Sequence, residues 1–316
     1  MLTALILLII VGLVIVWRLN LRDARAAEAA PAFDPSELRS LEALRDGLSQ
    51  ASGDEVPILA IVLFNGAPEL SIERIGESLR KRWSYALEHE TPVSNATLQR
   101  TLALNKTRVI FEPVADLGRD EGLRSAVDRL SRSGSANFEG AVAQGKTGLV
   151  VSAATELGAL GRAVVLSQAL LAVPETATNA TAVYWDASRQ LVSRREALKR
   201  LKVDYENELP LNLWVAARAD QSDGTVSGFT RGLEALNTSE FEALDAPESP
   251  KELEARLLGL ARYAVLSCRT IFNGDTTGVD EFERIKLVKA PSETVHKGWV
   301  FQLRYLKSSK QNPWQR

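Results

Sequence analysis

The sequence predicts an α+β fold: a mainly antiparallel sheet with helices packed on one face, divisible into two similar α+β halves and preceded by one transmembrane helix. Three observations lead there. Short apolar, β-branched runs alternate with amphipathic runs of helical period. Turn chemistry of the hairpin kind, such as "DQSDG" at 220–224, separates some of the strands. The first 17 residues stand apart as an apolar stretch without charge. A purely parallel doubly wound sheet is the competing arrangement.

"LTALILLIIVGLVIVW" runs from Leu2 to Trp17, and Arg18, Arg22 and Arg25 follow. At about 1.5 Å per residue this run covers about 24 Å, and Trp17 and Arg18 can reach the headgroups to complete a span. Basic residues that trail the run favour the cytoplasm for that side. The expectation is an uncleaved, single-pass anchor over 1–17 in the inner (cytoplasmic) membrane, contacting the lipid bilayer through residues 2–17, with the soluble domain on the cytoplasmic side. "ARAAEAAPA" at 24–32 has the composition of a cleavage region, so a cleaved secretory signal is the alternative. The single cysteine, Cys268, excludes an internal disulfide and accords with a reducing compartment. In a cytosolic body the sequons at Asn95, Asn105, Asn179 and Asn237 are chance matches.

Residues 18–55 read as a juxtamembrane linker and a short helix, "SELRSLEALRDGLSQ", with Leu38, Leu41, Leu44 and Leu48 on one face and Ser36 as cap. The first half covers 56–205. It contains strands at "VPILAIVLFN" (56–65), "TRVIFEPVA" (107–115), "TGLVVSAA" (147–154) and "ATAVYWD" (180–186). Its helices are "SIERIGESLRKRWSYALEHE" (71–90), with Ile72, Ile75, Leu79, Trp83 and Leu87 in one stripe, "GRDEGLRSAVDRLSRS" (118–133), the buried "TELGALGRAVVLSQALLAV" (155–173) and the basic "SRREALKRLK" (193–202). The second half covers 206–306. Here "LNLWVAARA" (211–219) and "TVSGFTRGL" (225–233) form a hairpin, and "SEFEALDA" (239–246) is a short strand or turn. "PKELEARLLGLARYAVLSCRTIF" (250–272) is a helix opened by Pro250 and followed by Asn273–Gly274. "ERIKLVKAP" (283–291) and "GWVFQLRYL" (298–306) close the half, and 307–316 is a flexible tail.

Thirty-eight basic against 40 acidic residues leave no basic excess for a nucleic-acid surface. With one cysteine and two histidines, His89 and His296, far apart, no metal-ligand spacing exists. "GAVAQGKT" (140–147) fits the P-loop pattern, and a nucleotide would be held by Gly140, Gly145, Lys146 and Thr147. A phosphate-binding loop needs a strand before it and a helix after it. Here a polar run precedes the motif and a strand-like run comes after it, so the segment reads as a loop. Asp186, ending "AVYWD", stands where a magnesium-binding carboxylate would, but strands ending in Asp are common at turns. His89 complements a helix end, and His296 lies in a loop before a strand. The pairs Glu240/Glu242 and Asp280/Glu281/Glu283 read as exposed faces rather than acid–base pairs. "SRREALKRLK" reads as a wet helix face, with contact to anionic lipid as the alternative.

From Thr147 to Leu244 the chain resembles an uncharacterised bacterial family, domain-of-unknown-function family 4261. The residues that carry the resemblance are "TGLVVSAA", "ATAVYWDASRQLVSRREAL" and "LPLNLWVAARADQSDGTVSGFTRGLEALNTSEFEAL". The resemblance implies an α+β fold and no known activity. The chain departs from the family at "AQGKT", where a polar segment with a histidine would stand before the strand. The leading expectation is a membrane-tethered, non-catalytic module that binds an unidentified protein or peptide, with no catalytic residue and no cofactor. A nucleotide-binding protein using "GAVAQGKT" is the first alternative. A hydrolase with unidentified carboxylates is the second, and a cleft that gathers acidic residues distant in sequence would favour it.

Overall fold

The computed structural model describes residues 38–52, 58–66, 68, 70–85, 87–88, 100–104, 107–115, 117–132, 147–203, 205, 207–267, 270–278 and 284–305. The expected anchor at 1–17 and the expected tail at 307–316 lie outside them. No described helix is long and apolar enough to cross a membrane.

The described residues form two sheets. The first has eight strands: β1 (Arg39–Ser40), β2 (Leu59–Phe64), β3 (Leu87–Glu88), β4 (Arg100–Leu104), β5 (Thr107–Ala115), β6 (Thr147–Thr155), β7 (Ala180–Trp185) and β8 (Gln190–Ser193). Their order is β3-β4-β5-β6-β2-β7-β8, with β1 beside β5; every pairing is antiparallel except β1–β5. The second sheet runs β12 (Thr276–Thr277), β13 (Ile285–Pro291), β14 (Trp299–Tyr305), β11 (Phe241–Ala246), β10 (Thr225–Arg231), β9 (Ala216–Ser222), and only β11–β14 is parallel. The α+β class with antiparallel-dominated sheets therefore holds.

The expectation of helices on one face fails for the first sheet. All six residues of β2 are buried. Ala60, Val62 and Phe64 face a core shared with α2 (Ile72–Trp83), α4 (Gly158–Thr176) and α5 (Arg194–Leu201). Leu59, Ile61 and Leu63 face a second core with α1 (Leu41–Ser52) and α3 (Glu121–Arg132). A strand that is apolar on both sides requires cover on both sides, so α1 and α3 close the face that an amphipathic strand would leave to water. In the second sheet α7 (Pro250–Leu266) lies across β9, β10 and β11. It buries Leu253, Leu257, Leu260 and Ala261 at helical spacing and starts from a reciprocal Ser249–Glu252 cap.

Several boundaries differ from expectation. Helix α1 begins at Leu41, where Ser40 Oγ accepts from Ala43 N–H at 3.2 Å; Ser36 lies outside the described residues. Helix α2 stops at Trp83 because Ser84 turns left-handed (φ 56°) and closes on the Arg80 carbonyl. Helix α7 ends at Leu266. The run expected as a strand from 211 opens instead as one helical turn, α6 (Leu211–Trp214), before β9. Pro210 supplies the carbonyl that Leu213 and Trp214 N–H donate to, at 2.9 and 3.2 Å.

That turn joins the halves. The Trp214 indole N–H donates to Ser167 Oγ on α4 at 2.7 Å, and its ring stacks on Trp185 of β7 with centroids 6.2 Å apart. Gln190 Nε2 donates to the Asn212, Leu213 and Val215 carbonyls at 3.0–3.1 Å, Ser188 Oγ to Leu213 O at 2.8 Å, and Arg200 Nη1 to Asn212 O at 2.7 Å. From the other side Gly232 passes so close that a Cβ there would lie 2.1 Å from the Trp214 carbonyl oxygen, and its φ is +115°. The Gly232→Ala variant is therefore expected to lose about 2–4 kcal/mol of stability in chemical denaturation. Gly259→Ala, on an open helix face, should gain up to about 1 kcal/mol. Equal effects at the two positions would contradict the close pass.

Candidate functional site

At one end of this seam lies a cleft of about 850 Å³. Its walls come from the start of α1, the amino end of α3, the β7–β8 turn, the turn at 232–235 and the loop at 295–297. Segments distant in sequence thus meet in one concavity, the usual setting for a ligand.

Leu41 and Leu44 bury one side of α1, and this leaves Arg45 turned to the cleft floor. Its guanidinium forks between two carboxylates. Nη1 bonds Asp120, Nη2 bonds Asp186 Oδ1, and Nε donates to Asp186 Oδ2 at 3.2 Å. Asp120 is also the cap of α3, accepting from Leu123 N–H at 2.7 Å. Asp186 is the first residue after β7. Burial pushes its carboxyl up from the ordinary value of 3.8, with Arg45 opposing. Burial also works against the charge on Arg45, but Asp120 and Asp186 outweigh it and raise that group above the usual guanidinium range. Beneath lies Tyr184, fully buried, whose hydroxyl has no hydrogen-bond partner among the described residues. Burial and then the two carboxylates raise its ionisation well above the ordinary value of 10.0.

On the other wall Glu240, also buried, collects the Gly232 and Leu233 N–H groups at 2.7 and 2.8 Å and the Thr230 hydroxyl at 2.6 Å. Burial raises its carboxyl, while Thr230 and His296 pull it back. His296 Nε2 lies 2.8 Å from the Thr230 carbonyl, and its ring meets Phe229 edge-on at 5.9 Å. The loop that carries His296 is tied down by Glu242, which accepts from Ser292 Oγ and Glu293 N–H at 3.0 Å and from Gln302 Nε2 at 3.2 Å. Burial works against the charged form of Glu242, but these donors prevail and its carboxyl sits below the ordinary value of 4.5.

Of the nucleotide-binding candidates, Gly140, Gly145 and Lys146 lie outside the described residues. Thr147 opens strand β6 and pairs with Ala115. The motif thus leads into a strand and not into the helix that a phosphate loop requires. His89, Cys268, Asp280, Glu281 and Glu283 also lie outside the described residues. The reading of Glu240 and Glu242 as exposed faces is corrected: both are buried, because the turn at 232–236 and the loop at 292–298 wrap over their strand. The basic helix α5 spends part of its charge internally, Arg194 on the Pro174 carbonyl and Arg200 on Glu196 and Asn212. Arg45, Asp120, Arg189 and Arg231 were not singled out as site residues by the sequence, and Tyr184 stood out only with Trp185 in the strand that carries the family resemblance. Only Asp120 carried a local signal, a capping residue at a helix start. Among the described residues no group of three metal-ligating side chains occurs.

Residues 229–303 match the profile of a domain of unknown function, DUF4261. The match bears out the family resemblance. It lies further along the chain than the segment that suggested it, overlapping at 229–244, where "TRGLEAL" and "SEFE" stand. It takes in the end of β10, then β11, α7, β12, β13 and most of β14, and with them Glu240 and His296. No curated protein and no solved structure matches the chain significantly.

The depressed Glu242 carboxyl has a pH signature. A group whose folded value lies below its unfolded one stabilises above about pH 4.5, and that stabilisation is lost as pH falls through the folded value. Glu242→Gln should cost about 1–3 kcal/mol near neutrality, because an amide NH₂ then faces donors. It should also lose less stability than wild type between about pH 7 and about pH 3. Parallel stability–pH curves would remove Glu242 from this role.

Proposed function

We propose that this chain, whose residues 229–303 carry the DUF4261 match, is a non-catalytic module that takes part of a protein or peptide partner into the cleft between its two sheets, at the cytoplasmic face of the inner membrane. One observation carries the binding reading: the three carboxylates sunk in the cleft walls, Asp120, Asp186 and Glu240, are already engaged inside the protein. Asp120 and Asp186 share Arg45, and Glu240 receives two backbone N–H groups and a hydroxyl. A general base or nucleophile must be free to exchange a proton or attack. Carboxylates held in this way instead fix the shape and polarity of the walls.

The localisation rests on the uncharged run from Leu2 to Trp17 with Arg18, Arg22 and Arg25 behind it. A reporter that works only in the cytosol, fused to the carboxyl end, should be active and membrane-associated. Activity from a periplasm-specific reporter, or a soluble product shortened at its amino end, would reverse the assignment.

The hydrolase reading is favoured by the meeting of Asp120 and Asp186 in one cleft. It requires turnover of an ester or phosphoester that disappears in Asp186→Asn. The binding reading is tested by photo-crosslinking in cells expressing the full chain. Benzophenone side chains placed at Glu234 and Val295, on the cleft rim, should each capture the same discrete partner, and one at Tyr263 on α7 should not. Adducts of equal kind at all three positions, or none at the rim, would refute it.

A further inference from the structure

The floor of the cleft continues into a cluster of guanidinium groups, of which Arg189, Arg218 and Arg231 stand outside the Arg45 ion pairs. Arg189 ends the β7–β8 turn in the left-handed region (φ 50°), its N–H bonded to the Asp186 carbonyl at 3.0 Å. Its own carbonyl accepts from Arg129 Nη2 of α3 at 2.9 Å and from Arg218 Nη2 of β9 at 3.3 Å. Two cations thus converge on one neutral oxygen. Arg231 of β10 joins them. Strand register puts Phe229 opposite Arg218 and Ala216 opposite Arg231, so the two arginines are diagonal neighbours on one face of the second sheet. Among the described residues, no carboxylate lies within ion-pair distance of Arg189, Arg218 or Arg231. Of the acids nearby, Asp120 and Asp186 are engaged by Arg45 and Glu240 by backbone N–H groups, while Asp220, two residues along β9 from Arg218, is exposed to solvent.

Two further features mark the cluster as a place for a ligand. Burial, and then Arg129 and Arg231, lower the Arg218 guanidinium to about 10; burial and then Arg189 lower Arg231 as well. A guanidinium ordinarily stays charged; here Asp220 beside Arg218 and Glu240 beside Arg231 offset the burial and the neighbouring cations only in part. Beside them the buried Tyr184 hydroxyl has no hydrogen-bond partner among the described residues. Gly122 has no side chain, and the volume a Cβ would fill lies 2.7 Å from that hydroxyl, 3.3 Å from Asp120 Oδ1, a carboxylate that Arg45 already neutralises, and 3.6 Å from Arg189 Nε. Gly122, Arg189 and Arg231 all line the cleft, so this charged corner opens into it.

We propose that the cleft binds a phosphate monoester dianion, gripped by Arg189 and Arg231 with Arg218 and Arg129 behind them. Several guanidinium forks from different elements suit an acceptor with oxygens on several sides and two charges better than a planar, singly charged carboxylate. The proposal rests on the binding reading and specifies the ligand for the same cleft. The phosphate can belong to a phosphorylated side chain of the partner or to a free phosphorylated metabolite.

The test is calorimetric titration of the full chain in nonionic detergent with inorganic phosphate, O-phosphoserine and AMP, against sodium chloride of equal ionic strength. Saturable binding at about millimolar or tighter is expected for at least one phosphate. It should weaken about tenfold or more in Arg231→Gln and in Arg189→Gln, and less in Arg231→Lys, which keeps the charge and loses the fork. Lys251→Gln, on the outer face of α7, should leave it unchanged. Thermal melts of each variant separate lost affinity from lost folding, and the exposed Arg189 is the variant least able to disturb the core. Tighter binding of O-phosphoserine points to a modified partner, and tighter binding of AMP to a metabolite. No binding of any probe, or binding equal in wild type and both glutamine variants, overturns the proposal. The two readings fail separately: crosslinking at the rim without phosphate binding sinks this one alone. Release of inorganic phosphate from a bound probe sinks the non-catalytic reading and leaves the site.

Discussion

The close pass of Gly232 over the Trp214 carbonyl is the constraint on which the rest of the molecule depends. Two chain segments come within a distance that no side chain tolerates, and each brings its own network. Trp214 brings its bond to Ser167, its stack on Trp185 and the three carbonyls around it that Gln190 holds. Gly232 brings the turn that Glu240 ties together. The β7–β8 turn and the 232–235 turn are therefore held side by side, and the cleft is the space between them. Its shape follows from packing at the seam rather than from the polar groups that line it.

Within that space the two signs of charge are treated differently. The acids are anchored: Asp120 caps a helix, Asp186 follows a buried strand, and both meet Arg45 in a partly buried site where truncating one partner leaves the others costly. Among the arginines, Arg218 rests on the Arg189 carbonyl and Arg231 is its diagonal neighbour on the sheet. Anchored acids make a rigid wall, and crowded cations make an attractive one. Glu242 extends the same logic outward, since a buried carboxylate with several donors fixes the loop that brings His296 to the rim.

Much of the scaffold was legible in the sequence because its signals are local. "VPILAIVLFN", "TRVIFEPVA", "TGLVVSAA" and "ATAVYWD" became β2, β5, β6 and β7, and Pro250 opened α7 as its chemistry indicates. What escaped depended on partners elsewhere. Strand β8, only four residues long, is held by its pairing with β7 and by Gln190 reaching three carbonyls of a later turn. Helical α6 hid inside an alternating pattern that continues as β9. Cover on both faces of the first sheet was implied by the unbroken apolar run of β2, which an alternating strand would not show. The site was least legible. Arg45 meets Asp120 and Asp186 across 75 and 141 residues, and no spacing rule spans such distances. Glu240 and Glu242 look like the wet side of a strand until the turns that cover them are in place.

The parallel pairing of β11 with β14 draws together Phe241 and Phe301, near the two ends of the DUF4261 match, so most of that segment closes on itself. At its start the match holds only Phe229–Arg231 of β10, a strand that in the whole chain is zipped along its length to β9, outside the match. A polypeptide trimmed to 229–303 would lose most of β10 and expose the backbone donors and acceptors of its remnant and of β11 as a sticky border, inviting strand exchange or aggregation. The smallest well-behaved fragment of this half must therefore reach back at least to Ala216, and expression boundaries drawn from the family profile alone would cut through a ladder.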